Sequence, residues 1–202
     1  MGANYGQFAT ALFKAGYSGS ILLLKPIPEA YENLLSKAET SGKNWKVGPC
    51  VAISDHDGSA SLNAAVASSV SSLLLPTAQL LHDLPRARIE SVINVSVRKL
   101  DSLMGELIHL DDTSFLKVDV QGAERLVLAG AEEFLKRAAG VMIEVSLVPL
   151  YEGESYASEM LEGLLAKGFE IWDINRGYMS PKTARLQQLD VVLFKKRPGT
   201  TA

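Results

Sequence analysis

Cysteine is almost missing from this chain. Cys50 is the only one among 202 residues, so no internal disulfide can form, and its apolar neighbours Val47, Val51 and Ile53 predict a buried structural thiol rather than a reactive one. That usage suits a reducing compartment, and a cytoplasmic location is expected. Long apolar runs are missing too. The stretch Ile21–Leu24 is far too short to span a bilayer, no basic segment precedes an apolar run at the N-terminus, and Gly6 stands where a myristoylation signal would need Ser or Thr. No targeting segment and no membrane span are expected. Positive charge is not in excess either: 20 Lys and Arg against 23 Asp and Glu leave a net charge of -3, which makes nucleic acid a poor partner. Of the three histidines, His82 and His109 have no companion at ligand spacing, so no metal is expected. His56, in a turn, is a weak candidate base. The dinucleotide fingerprint G-x-G-x-x-G is absent.

What is present is apolar material for one sizeable core, 47% of the residues, in a length that fits a single domain over 1–202 with no internal repeat. Periodicity predicts a strand at Ser20–Leu24 and a helix opening at Pro28, favoured at a first helical turn beside Glu29, and stopping near Gly42. A strand at Cys50–Ser54, the turn Asp55-His56-Asp57-Gly58 and a strand at Ser59–Asn63 read as a hairpin. From Ala64 to Arg88 the Ser-, Ala- and Leu-rich sequence keeps no period and reads as an irregular, lid-like excursion. Within it Leu73–Leu75 suits a lid, a contact between copies in a homo-oligomer, or the core. Then follow a strand at Val92–Val97, a helix at Lys99–Leu107, a strand at Phe115–Val120 and one helix from Ala123 to about Ala139. Val141–Val145, a helix at Ser155–Lys167, and strands at Phe169–Ile174 and Val191–Lys195 complete the chain. Strands alternating with helices argue for an α/β fold with a mainly parallel sheet, helices on both faces and a C-terminal antiparallel hairpin.

In open sheets of this kind ligands bind beyond the carboxyl ends of strands, where loops and helix N-termini expose backbone N–H groups. Two segments there stand out. Gly2 and Gly6, with Ala3, Asn4 and Gln7, precede an apolar helix and let backbone approach a ligand closely, although the same glycines could simply make a turn. Phe115 to Glu124 packs Asp119, Gln121, Gly122 and Glu124 around one strand-to-helix turn. Asp119 there is either functional or a helix cap, and Glu124 either functional or a partner for the helix dipole.

Gly-Ala-Asn-Tyr-Gly-Gln-Phe-Ala at the start, then Lys-Pro-Ile-Pro-Glu-Ala-Tyr-Glu-Asn-Leu, Ala-Ile-Ser-Asp-His-Asp-Gly, Leu-Lys-Val-Asp-Val-Gln-Gly-Ala-Glu and Ile-Glu-Val-Ser resemble, in order and spacing, the FkbM family of methyltransferases. The resemblance implies a Rossmann-like class I methyltransferase fold, S-adenosylmethionine as methyl donor, and a hydroxyl acceptor on a sugar or other glycan, a polyketide or another small molecule. It would put Gly2, Ala3, Asn4, Gly6 and Gln7 around the methionine part of the cofactor, Ser54 and Asp55 near its adenine, and Asp119 and Gln121 near the sulfonium. Glu124 and Glu144 would face the acceptor, and Asp119, Glu124 and Glu144 are the candidate bases for its hydroxyl proton.

Two departures from the family pattern stand out. The first strand, which in the family enters the glycine loop, is missing before Gly2, so an upstream segment or a second subunit is expected to fill the gap. Lys25 replaces the acidic residue that in the family accepts both ribose hydroxyls, a task an ammonium cannot perform. Both departures also suit a degenerate, non-catalytic binding domain, and Lys25 suits a phosphate-bearing ligand.

Overall fold

A computed structural model describes residues 1–2, 5–107 and 113–196; Ala3, Asn4 and His109 therefore lie outside the described residues. The chain opens with α1 (Gln7–Lys14), β1 (Ile21–Leu23), α2 (Pro28–Thr40) and β2 (Trp45–Val47). Pro28 sits in the first turn of α2 with Glu29 beside it, where a missing N–H costs nothing and a carboxylate meets the positive helix end. Ala30 and Leu34, four residues apart on one stripe, are buried, and Leu34 packs in one cluster with Ala9 and Leu23, flanked by Trp45. β1 and β2 pair in parallel as a small separate sheet.

β3 (Ala52–Ile53), β4 (Gly58–Ala65) and β5 (Ile89–Arg98) form a second sheet in the order β3-β5-β4. The hairpin expected from Cys50–Ser54 and Ser59–Asn63 does not form. β5 lies between the two strands, parallel to β3 and antiparallel to β4. The turn residues serve a different end: the Asp57 carboxylate accepts from the Lys99 N–H at 2.7 Å and the Ser102 hydroxyl at 2.8 Å, and so caps α4 (Leu100–Leu107).

The irregular excursion begins later than expected, because Ala64 and Ala65 belong to β4. It contains 3-10 turns at Ser68–Val70 and Pro85–Ala87 and a short helix, α3 (Ala78–Asp83), capped by Thr77, whose hydroxyl accepts from the Leu80 N–H at 3.2 Å. It is anchored. Leu80 and Ala87 are buried with Leu150 and Tyr151, and buried Asp83 accepts from the side-chain amides of Gln79 and Gln187 at 3.0 and 3.2 Å. Leu73 and Leu74 pack against core clusters while Leu75 stays exposed.

The third sheet carries the main core. It comprises β6 (Phe115–Val118), β7 (Gly140–Ser146), β8 (Phe169–Arg176) and β9 (Gln188–Lys195) in the order β6-β7-β9-β8, with α5 (Glu124–Ala129), α6 (Glu132–Arg137) and α7 (Ala157–Ala166) between them in sequence. The antiparallel C-terminal hairpin is present as β8–β9. The expectation of a mainly parallel sheet is corrected: three strand pairings are parallel and three antiparallel. The reason is that β9 inserts between β7 and β8, and β4 folds back on β5. Among the described residues no strand joins β1 to β6; the α-amino group of Met1 donates to the Lys117 carbonyl at 2.7 Å.

The helix expected over 123–139 is broken at Gly130. A β-carbon there would lie 1.9 Å from the Ser54 carbonyl oxygen, so the chain must bend around that peptide. The second half restarts with borrowed caps: the Asp101 carboxylate accepts from the N–H groups of Glu133 and Phe134 at 3.0 and 2.9 Å.

Period two in β7 does the rest. Val141, Ile143 and Val145 are buried in one cluster with Leu103, Phe134, Leu135 and Leu164, where truncating a residue such as Ile143 to Ala costs about 2–5 kcal/mol. Met142 and Glu144 then face the other side. Since Val118 is in register with Ile143, the next residue of the β6 chain, Asp119, arrives beside Glu144. No helix among the described residues is long and apolar enough to cross a membrane.

Candidate active site

The turn that follows β6 is held in an unusual backbone shape. Gln121 has φ 59° and Gly122 φ 90°; for a residue with a side chain the left-handed region costs about 1–2 kcal/mol. A side chain at Gly122 would meet the Tyr151 ring at 2.7 Å. The contacts that fix this shape come from distant parts of the chain. The Ser72 hydroxyl donates to the Gln121 carbonyl at 2.6 Å. The buried Tyr151 hydroxyl donates to the Val70 carbonyl at 2.9 Å and lies 3.3 Å from Gln121 Oε1. The excursion thus clamps the turn from above.

Gln121 is a bridge. Its side-chain amide donates to Asp119 Oδ1 at 2.9 Å and to Glu144 Oε2 at 3.0 Å. Asp119 is also paired with Lys117 at 2.8 Å, and Glu144 Oε2 receives a second amide from Gln188 at 3.0 Å. Glu144 is held well above the usual carboxylate range, first by burial, then by the charges of Asp119 and Glu124. Burial also pushes Glu124 up to about 7, against the opposing Val120 N–H, which donates to its carboxylate at 2.8 Å. Glu154 anchors the floor, accepting from the N–H groups of Leu150 and Tyr151 at 2.6 and 3.0 Å and from the Ser146 hydroxyl.

Two cavities flank this turn. The larger, a cleft open to solvent with an inner volume of about 60 Å³, is lined by Gly2, Lys25, Ala52, Ile53, Asp119 and Gln121 among others. The smaller, a narrow cleft too tight for a water molecule, is lined by Gly122, Glu124, Glu144, Ser146 and Glu154 among others. Gly2, at φ 71°, presses its backbone onto the Asp119 carbonyl, where a β-carbon would lie 1.6 Å from the oxygen; only glycine fits. The expected cofactor residues are therefore divided. Gly2, Lys25, Asp119 and Gln121 come together in the larger cavity, and the expected acceptor-side residues Glu124 and Glu144 come together in the smaller.

Gly6, Gln7, Ser54 and Asp55 line neither. Gly6 adopts φ 75° at the start of α1, where a β-carbon would strike the Trp45 ring at 2.6 Å. Gln7 accepts from the Tyr5 N–H at 3.0 Å. Buried Ser54 donates to Asp55, whose carboxylate meets the His56 ring at 2.7 Å. Cys50 is half-buried, its thiol 3.5 Å from the Pro26 carbonyl and pushed up by burial, which keeps it protonated rather than a thiolate. Tyr151, Gln188, Glu154 and Ser72 carry the site but were not expected in it. Each lies outside the motifs, and Gln188 sits at the start of β9, ahead of the strand the apolar pattern predicts at Val191–Lys195.

The Methyltransferase FkbM domain model matches residues 1–171. The chain belongs to the FkbM methyltransferase family. No curated protein matches it. Among solved structures, the chain is similar to a TehB-like SAM-dependent methyltransferase from Corynebacterium glutamicum, at 14% identity and TM-score 0.44, over 96% of this chain and 77% of that one. It is similar also to a structure described as a pericyclic reaction enzyme, at 10% identity and TM-score 0.46, over 97% of this chain and 42% of that one. A third, described by the conversion of a disulfide bond into a thioacetal group during echinomycin biosynthesis, shows 15% identity and TM-score 0.39, over 96% and 73%. The family assignment rests on the sequence match over 1–171, which contains every residue of both cavities named above.

Proposed function

We propose that this FkbM-family chain is an S-adenosylmethionine-dependent methyltransferase that acts on a hydroxyl oxygen of a sugar, polyketide or other small molecule. The cofactor would occupy the larger cavity. Its fit is supported by the close backbone approach at Gly2, by apolar walls at Leu24, Ile27, Ile53 and Leu62 for an adenine ring, and by the Asp119 carboxylate for a fixed positive charge. When bound there, the cofactor supplies an electrophilic methyl group on a sulfonium.

The acceptor would lie toward Glu144. Gln121 ties the two cavities together, since one side-chain amide spans Asp119 and Glu144 at 2.9 and 3.0 Å; this is the observation that carries the reading. Glu144 would take the acceptor's proton as its oxygen gains the methyl group, the carbon–sulfur bond breaking with its electron pair left on sulfur. A carboxylate whose proton affinity is raised by burial accepts a proton more readily than an ordinary one. The amides of Gln121 and Gln188 favour its ionised form, so the rate should rise with pH as Glu144 loses its proton. Glu124, whose carboxylate faces the same small cavity, is the alternative base.

Titration calorimetry with S-adenosylmethionine and S-adenosylhomocysteine, alongside Asp119→Ala, tests the cofactor site. Binding abolished by the substitution is the expected result. Transfer of a labelled methyl group to a panel of hydroxyl compounds, lost in Glu144→Gln while cofactor affinity stays unchanged, tests the base. The buried cation Lys25 favours a second reading, a non-catalytic methyltransferase-like binding domain. A cooperatively folded chain that binds neither compound would decide for it.

A further inference from the structure

Lys25 follows β1 directly, at the strand's carboxyl end, and lines the larger cavity while only 6% exposed. A buried ammonium is costly unless paired. Among the described residues its hydrogen-bond partner is the Ser68 carbonyl, at 3.5 Å, and none of them has a carboxylate within ion-pair distance of it. The nearby acid, Asp119, is already matched by Lys117 at 2.8 Å. Burial pulls the Lys25 amine down to about 8, with only the field of Asp119 working the other way. The cavity therefore holds an uncompensated cation.

Hydroxyls line the same cavity. Among the described residues Ser69 makes no side-chain hydrogen bond to protein, and Ser71 accepts from the Ala65 N–H at 3.1 Å without donating to a protein acceptor. A lysine with two hydroxyl donors is chemistry for an anionic oxygen group. The chemistry narrows the class further: beside a nucleoside, a carboxylate receives a free ribose diol, whereas a cation receives a phosphate carried on that ribose.

We propose that the larger cavity also binds adenine nucleotides whose ribose is phosphorylated at the 2′ or 3′ position, with the phosphate on Lys25, Ser69 and Ser71. This rests on the reading of the larger cavity as a nucleoside site, and not on methyl transfer. Such nucleotides would compete with the methyl donor and would be preferred to it.

Calorimetric titration of the whole chain tests this with adenosine 5′-monophosphate, adenosine 2′,5′-bisphosphate, adenosine 3′,5′-bisphosphate, S-adenosylhomocysteine and inorganic phosphate. At least one bisphosphate should bind about tenfold or more tightly than the monophosphate, the increment of one charge-assisted contact. Lys25→Met, a neutral side chain of similar length, should lose that increment and keep the monophosphate affinity. Lys25→Glu should lose it and bind S-adenosylhomocysteine more tightly. The proposal is overturned if the bisphosphates bind no better than the monophosphate, if Lys25→Met leaves the increment intact, or if Lys25→Glu weakens S-adenosylhomocysteine, which would put its carboxylate on Lys25. Competition by inorganic phosphate alone, with no gain from adenine, overturns it as well. Should the bisphosphate bind through Lys25 while S-adenosylhomocysteine does not bind at all, this proposal stands and the methyl-transfer reading falls.

Discussion

On one side of the Asp119–Gln121 turn, Lys25 is a buried cation with a single carbonyl oxygen at 3.5 Å. On the other, Glu144 is a buried carboxylate with two amide donors at 3.0 Å. Both groups bear the desolvation cost of burial. The carboxylate receives two amide donors, although burial and the charges of Asp119 and Glu124 still raise it, whereas the lysine has one long contact to a carbonyl. The strained turn between them is the part both sides share.

Breaking that shared part should therefore have the largest effect. Gly122→Ala combines a left-handed backbone with a clash against the Tyr151 ring, and should destabilise by about 4 kcal/mol, read as a lowered midpoint in urea unfolding. Next comes Glu124, which burial pushes up to about 7 from an ordinary 4.5. A carboxylate raised on folding contributes stability that is full below pH 4.5 and is lost as pH rises through 7. Wild type should thus lose roughly 3 kcal/mol across that window relative to Glu124→Gln; parallel pH profiles for the two proteins would refute it.

The carboxylate side can be weakened alone. Gln188→Leu removes one donor from ionised Glu144 and should move the midpoint of the pH–rate profile up by about one unit. An unmoved midpoint would assign the base elsewhere. Smallest is Tyr151→Phe, which deletes the hydroxyl bonded to the Val70 carbonyl and should cost about 1 kcal/mol. Its effect on methyl transfer, through a loosened Gln121, should exceed its effect on urea stability.

Much of this was legible from residues alone. The strand-to-helix turn from Phe115 to Glu124, the helix opening at Pro28 and the strand ending just before Lys25 follow from periodicity and turn chemistry, and each is present. What stayed hidden was decided by distant partners. β4 pairs with β5 rather than β3 because a strand thirty residues on fits between them, and nothing local in Ser59–Asn63 records that. Likewise Ser72 and Tyr151 reach the turn across separations of 49 and 30 residues, from segments with no motif of their own. Gly6, which the family pattern puts beside the cofactor, also makes room for Trp45, a role that requires knowing what packs above it.

The capping of α6 by Asp101 carries a consequence for how the chain keeps its structure. A six-residue helix is too short to persist in water on its own. Its first N–H groups find their acceptor on α4, about thirty residues earlier. The stability of α6 is thus tied to α4: loosening α4 from the core leaves the first N–H groups of α6 without their acceptor.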